Sequence, residues 1–301
     1  THCGAKGGGA SSDYGPGNHG GRENYFCLPL SVSECAWILF LARMHQERSY
    51  VLALEAGGGK QVNLDGMYYG VDEDGLSFRK AGPYILMGGG GHRTGEGCDG
   101  FSFEYLRGQA RTLWPDLRIV SEWAAQDCMT LDGIPYIGKF GKQTDHWFVA
   151  TGFQKWGMSS SMVSALILKD LICNRENPFA DVFSPSRFSA EEIPHIVKDG
   201  KKAVAGLTRR FFQIPDETIS SLERGQGAVV TTSEGKVGVY KTEEGEIRQV
   251  DIVCPHMGCQ LSWNPDEQSW DCPCHGSRFD VEGNLLDDPA QEGIQCSGIQ
   301  E

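Results

Sequence analysis

The sequence is short of positive charge and of long apolar runs. Its 301 residues include 27 Lys and Arg but 40 Asp and Glu, which gives a formal net charge of −13. A chain with this balance repels the phosphate backbone of nucleic acids. The two most apolar runs, residues 37–44 and 162–173, are shorter than the roughly 20 residues that a helix needs to cross a bilayer. We therefore expect no nucleic-acid partner and no transmembrane segment.

The sequence also lacks the glycine motifs that bind nucleotide phosphates. The glycines at 88–91 do not fit the spacing G-x-G-x-x-G, and Gly59-Lys60 is followed by Gln61 where a P-loop has Ser or Thr. A ring-hydroxylating oxygenase would need two histidines and a carboxylate for a mononuclear iron. No convincing set is found among His45, His92, His146 and His195.

The 11 cysteines are unevenly distributed along the chain. Cys254, Cys259, Cys272 and Cys274 fall within 21 residues, whereas the others are scattered. An odd, clustered set is more typical of metal binding than of a secreted disulfide framework. The sequence begins with Thr1 and shows no signal peptide. We expect a cytoplasmic location.

Composition divides the chain into four parts. Residues 1–36 carry eight glycines in the first 21 and no sustained apolar period, which predicts a disordered or atypical segment. Residues 37–177 form a first domain, and the stretch 178–206, which begins with residues rich in Pro, Ser and charge, is the predicted linker. Residues 207–301 form a second domain. From 225 to 301 there are fourteen acidic and four basic side chains, a net charge of −10.

Hydrophobic periodicity predicts an α+β fold, with an α/β first domain and a small antiparallel β second domain. Two segments are predicted as helices, 103–114 and 158–173. Short strands separated by glycine turns are predicted at 50–54, 61–64, 66–71, 84–87 and 147–151, and then at 227–232, 237–242, 247–253, 260–263 and 277–281.

The strongest chemical signal is a pair of short motifs in the second domain. Cys254-Pro255-His256 is followed, after 15 intervening residues, by Cys272-Pro273-Cys274-His275. Two thiolates can hold one iron of a [2Fe–2S] cluster while two imidazoles hold the other. A structural zinc site or plain buried cysteines are the alternatives, although zinc sites usually pair C-x-x-C with H-x₃₋₅-H.

At these residues the sequence resembles a Rieske [2Fe–2S] domain of the subtype with two additional cysteines. The resemblance covers about residues 207–289. It implies Cys254 and Cys272 on one iron and His256 and His275 on the other. It further implies a disulfide between Cys259 and Cys274, for which two reduced thiols are the alternative.

The first domain resembles the later half of an FAD-dependent oxidoreductase of the D-amino-acid oxidase and glycine oxidase class. The segments that carry the likeness occur in family order across about residues 40–173, and end with Gly152-Phe153-Gln154 and Trp156-Gly157-Met158. Bacterial proteins in which such a domain precedes a Rieske domain are the nearest resemblance. FAD is the second cofactor that it implies. The family's N-terminal βαβ unit, with the glycine fingerprint for the FAD pyrophosphate, is absent, so we expect an incomplete fragment of such a protein.

One loop of the first domain is a candidate flavin contact. Backbone N–H groups where a strand leads into a helix suit the flavin edge on which negative charge develops. The resemblance assigns this role to Gly152, Gly157 and Met158, with Gln154 and Trp156 bordering the loop; an ordinary strand-to-helix turn is the alternative. His92-Arg93 is either an anion-binding corner for a substrate carboxylate or a solvated turn.

Together these features predict an oxidoreductase that transfers electrons through a Rieske cluster. We expect flavin-dependent oxidation of a small amine or amino acid, with a one-electron acceptor protein or a quinone as the partner. The alternative is a Rieske electron carrier whose first domain is a non-catalytic, degenerate flavin-like docking domain. No catalytic residue is assigned from the sequence.

Overall fold

The structure, a computed structural model, describes residues 43–56, 64–72, 75–97, 100–141, 146–188, 219–232 and 235–298, with isolated positions at 194, 197 and 201. The predicted segment 1–36, nearly all of the predicted linker beyond residue 188, and residues 61–63 of one predicted strand lie outside the described residues. The described part contains a five-stranded sheet and a two-stranded hairpin, both accompanied by α-helices, and two four-stranded sheets. The predicted α+β class is confirmed.

The first unit is built on a five-stranded antiparallel sheet. Its strands are β1 (Met44–Ala56), β2 (Met67–Tyr69), β3 (Ser77–Ala81), β4 (Tyr84–Arg93) and β5 (Leu117–Thr130). Their order in the sheet is β2-β3-β4-β1-β5, so that β1 lies between β4 and β5 and pairs with both over most of its length.

One face of β1 forms the core of this unit. Side chains alternate between the two faces of a strand, and in β1 the even positions from Met44 to Leu54 are buried, together with Ala53. The helix α1 (Ser102–Leu113) covers the apolar half of this face with Phe103, Leu106 and Ala110. The Phe103 and Tyr50 rings meet edge to face with centroids 4.9 Å apart. The apolar face that the 3.6-residue period gives α1 therefore packs against the apolar face that the two-residue period gives β1.

A hairpin and a helix complete the first unit. The hairpin pairs β6 (Tyr136–Lys139) with β7 (Phe148–Thr151), and is followed by α2 (Gly157–Ile172) and the short α3 (Ala180–Phe183). At 16 residues α2 is the longest described helix, and none of the described helices is long and apolar enough to cross a membrane.

Residues at the start of the predicted linker are anchored to the first unit. Arg187 Nε donates to Asp132 Oδ2 at 2.8 Å, and its guanidinium lies 4.1 Å from the centre of the Tyr136 ring. Asp132 thus fixes the chain that leaves this unit. The Arg187 contact holds the pKa of Asp132 below its usual value, in opposition to the effect of burial.

The second unit consists of two four-stranded antiparallel sheets. Trp270, Phe279, Leu261 and Ile252 are buried in its core. A short 3₁₀ helix at Ile219–Ser221 precedes the strands. The eight strands are β8 (Gly227–Thr232), β9 (Gly235–Lys241), β10 (Ile247–Val250), β11 (Ser262–Asn264), β12 (Ser269–Asp271), β13 (Arg278–Phe279), β14 (Leu285–Asp287) and β15 (Cys296–Gly298). One sheet has the order β15-β10-β9-β8 and the other the order β11-β12-β13-β14.

A buried ion-pair network joins the two units. Arg48 of β1 is only 2% exposed, and its Nε donates to Glu267 Oε2 at 2.8 Å. Glu267 also pairs with Arg278, whose Nε donates to Asp271 Oδ1 at 3.0 Å. The surrounding carboxylates raise the pKa of Arg278 in spite of its burial. Each guanidinium therefore has carboxylate partners, as a buried charge requires.

The second unit also caps a helix of the first. No side chain next to α1 caps its N-terminus. Instead, the Asp266 carboxylate accepts hydrogen bonds from the backbone N–H groups of Ser102, at 3.1 Å, and Phe103, at 3.5 Å. A carboxylate at this position satisfies orphan donors and opposes the helix dipole.

We predict that Arg48→Met destabilises the protein by about 3 kcal/mol, because removing one partner of a buried ion pair leaves the other poorly compensated. Urea titrations of the free energy of unfolding measure this loss. The matched control is Arg118→Met, which removes an exposed arginine paired with Glu55 on the same sheet and should cost less than about 1 kcal/mol. Equal losses in the two variants would contradict the structural role of Arg48.

Candidate metal centre

The two cysteine–histidine motifs form two loops of similar construction. Each loop is closed by a glycine amide that donates to the carbonyl of its first cysteine: Gly258 to Cys254 at 2.8 Å and Gly276 to Cys272 at 3.0 Å. Both glycines have positive φ, 77° and 83°, which other residues adopt only with strain. The local sequence therefore turns each ligand-bearing segment back on itself.

The first cysteine of each loop contributes to a shared thiol pair. The Cys254 and Cys272 side chains are each 1% exposed and hydrogen-bond to each other. The pKa of Cys254 falls to about 6, mainly because the Cys272 thiol donates to its sulfur, with further donors from the His256 and Met257 amides and the Ser277 hydroxyl. The pKa of Cys272, the other member of the pair, is raised. The donors aimed at the Cys254 sulfur favour its thiolate form, which is the form that binds iron.

The two histidines face each other beside this thiol pair. The His256 and His275 rings are T-shaped, with centroids 5.0 Å apart. Burial lowers the pKa of both, and for His275, where the charges of His256 and Arg93 add to this effect, the pKa falls to about 4. Both rings are thus neutral at pH 7 and carry a lone pair for a metal.

Both Nδ1 atoms are buried and have no hydrogen-bond partner among the residues that the structure describes. Leaving a buried polar atom unpaired costs free energy, and two such atoms on facing rings point to a ligand between the loops. With two thiols and two neutral imidazoles, the donor set fits a [2Fe–2S] cluster. The assignment of Cys254, Cys272, His256 and His275 as iron ligands agrees with this geometry and stays a prediction.

A disulfide joins the two loops, as the resemblance to a Rieske domain implied. It links Cys259 to Cys274, and both sulfurs lie within 4.8 Å of the Cys272 sulfur. These two cysteines bond to each other and are therefore not iron ligands. The cross-link holds the loops together on the side next to Cys272.

The five predicted flavin contacts lie in the turn that follows β7 and in the first turn of α2. Gly152 is buried at φ +73°, where an added Cβ would collide with Thr130. The Gln154 side chain donates to Thr130 Oγ1 at 3.4 Å. Trp156 is exposed and contacts Tyr69, with ring centroids 5.6 Å apart. Gly157 begins α2 and Met158 is fully accessible on its first turn. Their role in flavin binding stays a prediction.

The His92-Arg93 corner divides into two roles. Both ring nitrogens of His92 have partners in the chain: the Tyr50 hydroxyl lies 2.9 Å from Nε2, and the Arg93 carbonyl lies 2.9 Å from Nδ1. Arg93 lies opposite Glu47 in the pairing of β1 with β4, and its charge contributes to the lowered pKa of Glu47. An anion-binding role for this corner stays a prediction.

Sequence reasoning missed the residues of the first unit that contact the second ligand loop. Gln126 Nε2 donates to the Gly276 carbonyl at 3.0 Å, and Thr94 donates to Gln126 Oε1 at 3.0 Å. An added Cβ on Gly95 would lie 2.6 Å from Pro273 N. In each contact between the two units the partners are 150 residues or more apart in the chain, so no local motif marks them.

Comparisons with known proteins agree with both halves of the structure. Residues 213–297 match the family described as Rieske [2Fe-2S] domain, and residues 36–171 match the family described as FAD dependent oxidoreductase. The chain therefore carries a Rieske domain behind a segment of an FAD-dependent oxidoreductase. The two predicted cofactors, a [2Fe–2S] cluster and FAD, are those that these families imply.

Three relatives illustrate the similarity. YhfW of Bacillus subtilis (strain 168), named as a Rieske 2Fe-2S iron-sulfur protein, is 36% identical over 258 residues, which cover 84% of this chain and 50% of YhfW. Cytochrome b6-f complex iron-sulfur subunit 2 of Nostoc sp. is 35% identical over 34% of this chain and 59% of that subunit. The chain thus spans only part of the length of these relatives. Glycine oxidase from Geobacillus kaustophilus gives a TM-score of 0.42 at 22% identity, covering 49% of this chain and 40% of that structure.

We predict that replacing either His256 or His275 by Ala abolishes the EPR signal of the reduced Rieske cluster, because each imidazole completes the four-coordinate shell of an iron. EPR spectra of the dithionite-reduced proteins measure this. Cys296→Ser, which changes an exposed cysteine of β15, is the control and should leave the signal intact. An unchanged spectrum in either histidine variant would refute the ligand assignment.

We predict that the double variant Cys259→Ser, Cys274→Ser assembles a cluster that is lost faster on heating and has a shifted reduction potential. The disulfide closes a loop of 15 residues, for which cross-linking contributes about 3 kcal/mol. Bleaching of the visible absorption at increasing temperature, compared with Cys173→Ser, measures the loss. Failure to assemble any cluster under anaerobic reconstitution would assign these cysteines a more direct role.

Proposed function

We propose that this protein couples flavin-dependent oxidation of a small amine or amino acid to one-electron transfer through its Rieske cluster. The acceptor is a protein or a quinone. The observation that supports this most is that a ligand loop of the cluster lies directly on the sheet of the FAD-oxidoreductase segment, through Gln126 and Gly95. A redox partner within the same chain would need such a contact.

The two cofactors would divide the chemistry between them. When bound, a flavin takes two electrons from a substrate and can release them singly, and a Rieske cluster carries one electron at a time. Cys254, Cys272, His256 and His275 would hold the cluster. The turn with Gly152 and Gly157 would present backbone N–H groups to the flavin at the start of α2.

The face of β1 opposite to the core suits a zwitterionic substrate. Alternation places His45, Glu47 and Ser49 on this face, and Asp127 on β5 accepts a hydrogen bond from Ser49 at 2.7 Å. Lys155, from the predicted flavin turn, lies 3.8 Å from Glu47. Charges of both signs beside that turn support an amino acid, whose ammonium and carboxylate groups need opposite partners.

A second candidate function is electron transfer without substrate oxidation. The contacts between the ligand loop and the sheet consist of hydrogen bonds and close backbone packing that require no flavin. They would serve a docking domain equally well. The name of the Nostoc relative places it in the cytochrome b6-f complex, which supports an electron-transfer partner under either candidate. The cytoplasmic location stays a prediction.

We predict that the protein, reconstituted with FAD under anaerobic conditions, develops the EPR signal of the reduced cluster on addition of glycine, sarcosine or proline. Gly152→Val should lower the bound FAD and suppress this signal, because the new side chain collides with Thr130 at positive φ. Dithionite should still reduce its cluster. Gly108→Ala, at a helix position with open space around it, is the control and should behave as the unmodified protein.

The absorption spectrum separates the two candidate functions. Bound flavin together with amine-dependent reduction of the cluster would support flavin-dependent amine oxidation. A cluster that is reduced by dithionite but binds no FAD would favour the electron carrier. Normal FAD binding by Gly152→Val would refute the flavin role of this turn.

A further inference from the structure

Three glycines allow the two units to approach each other at the level of the backbone. A Cβ added to any of them would lie under 3.0 Å from an atom of the other unit, a distance that real Cβ atoms essentially never show. The contacts are Gly95 with Pro273 N (2.6 Å), Gly100 with Pro265 Cγ (2.9 Å) and Gly276 with Gln46 Cγ (2.3 Å). All three glycines have positive φ, which other residues adopt only with strain. No other residue type therefore fits these positions while the units are in contact.

Polar contacts hold the same surface at further places. Arg48 Nε donates to Glu267 at 2.8 Å, and Asp266 accepts from the first backbone N–H of α1 at 3.1 Å. Gln126 Nε2 donates at 3.0 Å to the carbonyl of Gly276, which lies in the second ligand loop, residues 272–277. The strands β1 and β5, the turn after β4 and the start of α1 thus all take part. Contacts from several separate segments fix the orientation of the second unit as well as its position.

We infer that this surface of the first unit is a permanent docking site for the Rieske domain, which stays on it in both oxidation states of the cluster. Because the two units belong to one chain, each is present to the other at an effective concentration on the order of millimolar. Even a modest interface is therefore occupied in nearly all molecules. The inference requires a Rieske domain, which the family match shows, and it applies under either candidate function.

The electron that the cluster gains on reduction does not oppose these contacts. The groups that meet loop 272–277 are the side-chain amides of Gln126 and Gln46 and the backbone of Gly95, and these three groups carry no charge. The Arg48 guanidinium at the interface is a cation, and a negative charge added to the Rieske domain attracts it. The contacts are therefore at least as favourable in the reduced protein as in the oxidised one.

The first test compares two glycines that lie two positions apart. Gly95→Ala should open the interface, because the new methyl group collides with Pro273. The matched control is Gly97→Ala, since Gly97 also has positive φ, 66° against 73°, but has open space around it. Hydrogen exchange is followed in the peptides with residues 100–106 and 272–277. Both should exchange about fivefold faster in Gly95→Ala, a factor equivalent to about 1 kcal/mol, and at a nearly unchanged rate in Gly97→Ala.

The two peptides belong to different units, so they change together only when the Rieske domain leaves the first unit. The N–H groups of Ser102 and Phe103 depend on Asp266 for their hydrogen bonds and report this departure directly. If Gly95→Ala does not fold, Gln126→Leu replaces it, because it removes the donor to Gly276. The same two peptides should then exchange faster.

The second test compares the two oxidation states of the unmodified protein. Dithionite supplies the one electron that the cluster accepts, and the EPR signal of the reduced cluster verifies that it has been taken up. Both peptides should exchange at equal rates in the oxidised and the reduced protein, because the docked state is retained. The radius of gyration from small-angle X-ray scattering should also be equal in the two states.

Two results would overturn the inference. Faster exchange of both peptides in the reduced protein would show that the domain leaves its docking site on reduction. Exchange in Gly95→Ala, or in its replacement Gln126→Leu, that equals that of the unmodified protein would show that these contacts do not hold the domain. Neither test uses an amine or a flavin, so that failure of the inference and failure of the proposed function are separate results.

Discussion

A buried guanidinium needs a carboxylate, and the contact between the two units follows from this constraint. Arg48 occupies a core-facing position of β1, and its carboxylate partner, Glu267, belongs to the other unit. The buried face of β1 is polar at Gln46 and Arg48 and apolar from Tyr50 onwards. One strand therefore serves two neighbours: its apolar half packs against α1 and its polar half against the Rieske domain. The pairing of β1 with β4 shifts register between Arg48 and Tyr50, where the two halves meet.

The position of the cluster site depends on this contact. Glu267 and Asp266 lie in the turn between β11 and β12, and β12 leads directly into the second ligand loop. Asp266 caps α1 while Glu267 binds Arg48, so this turn is fixed at two points on the first unit. The loop that follows is thereby brought to Gln126. The disulfide between Cys259 and Cys274 then extends the same restraint to the first loop.

The candidate ligand set could be predicted from sequence because its residues are close together in the chain, whereas its surroundings could not. The four predicted donors lie within 22 residues, at a spacing typical of a Rieske site. The long strand β5 was missed because its pattern of exposure does not alternate cleanly, so that Leu117–Thr130 lacks the period of two. Short strands such as β12 and β14 carry too few residues for any period. Arg48 and Glu267, separated by 219 positions, give no local signal at all.

The two faces of the cluster site are inequivalent, which restricts how a partner can approach it. The loop with His275 is occupied by the chain's own sheet, whereas Met257, next to His256, is exposed. Under the proposed function, an external acceptor would meet the first loop and a donor within the chain would meet the second. The electron would then have separate routes of entry and exit. A mobile domain would lose conformational freedom before each electron transfer within the chain, and this loss costs free energy. A loop that is already fixed on the sheet does not have this cost.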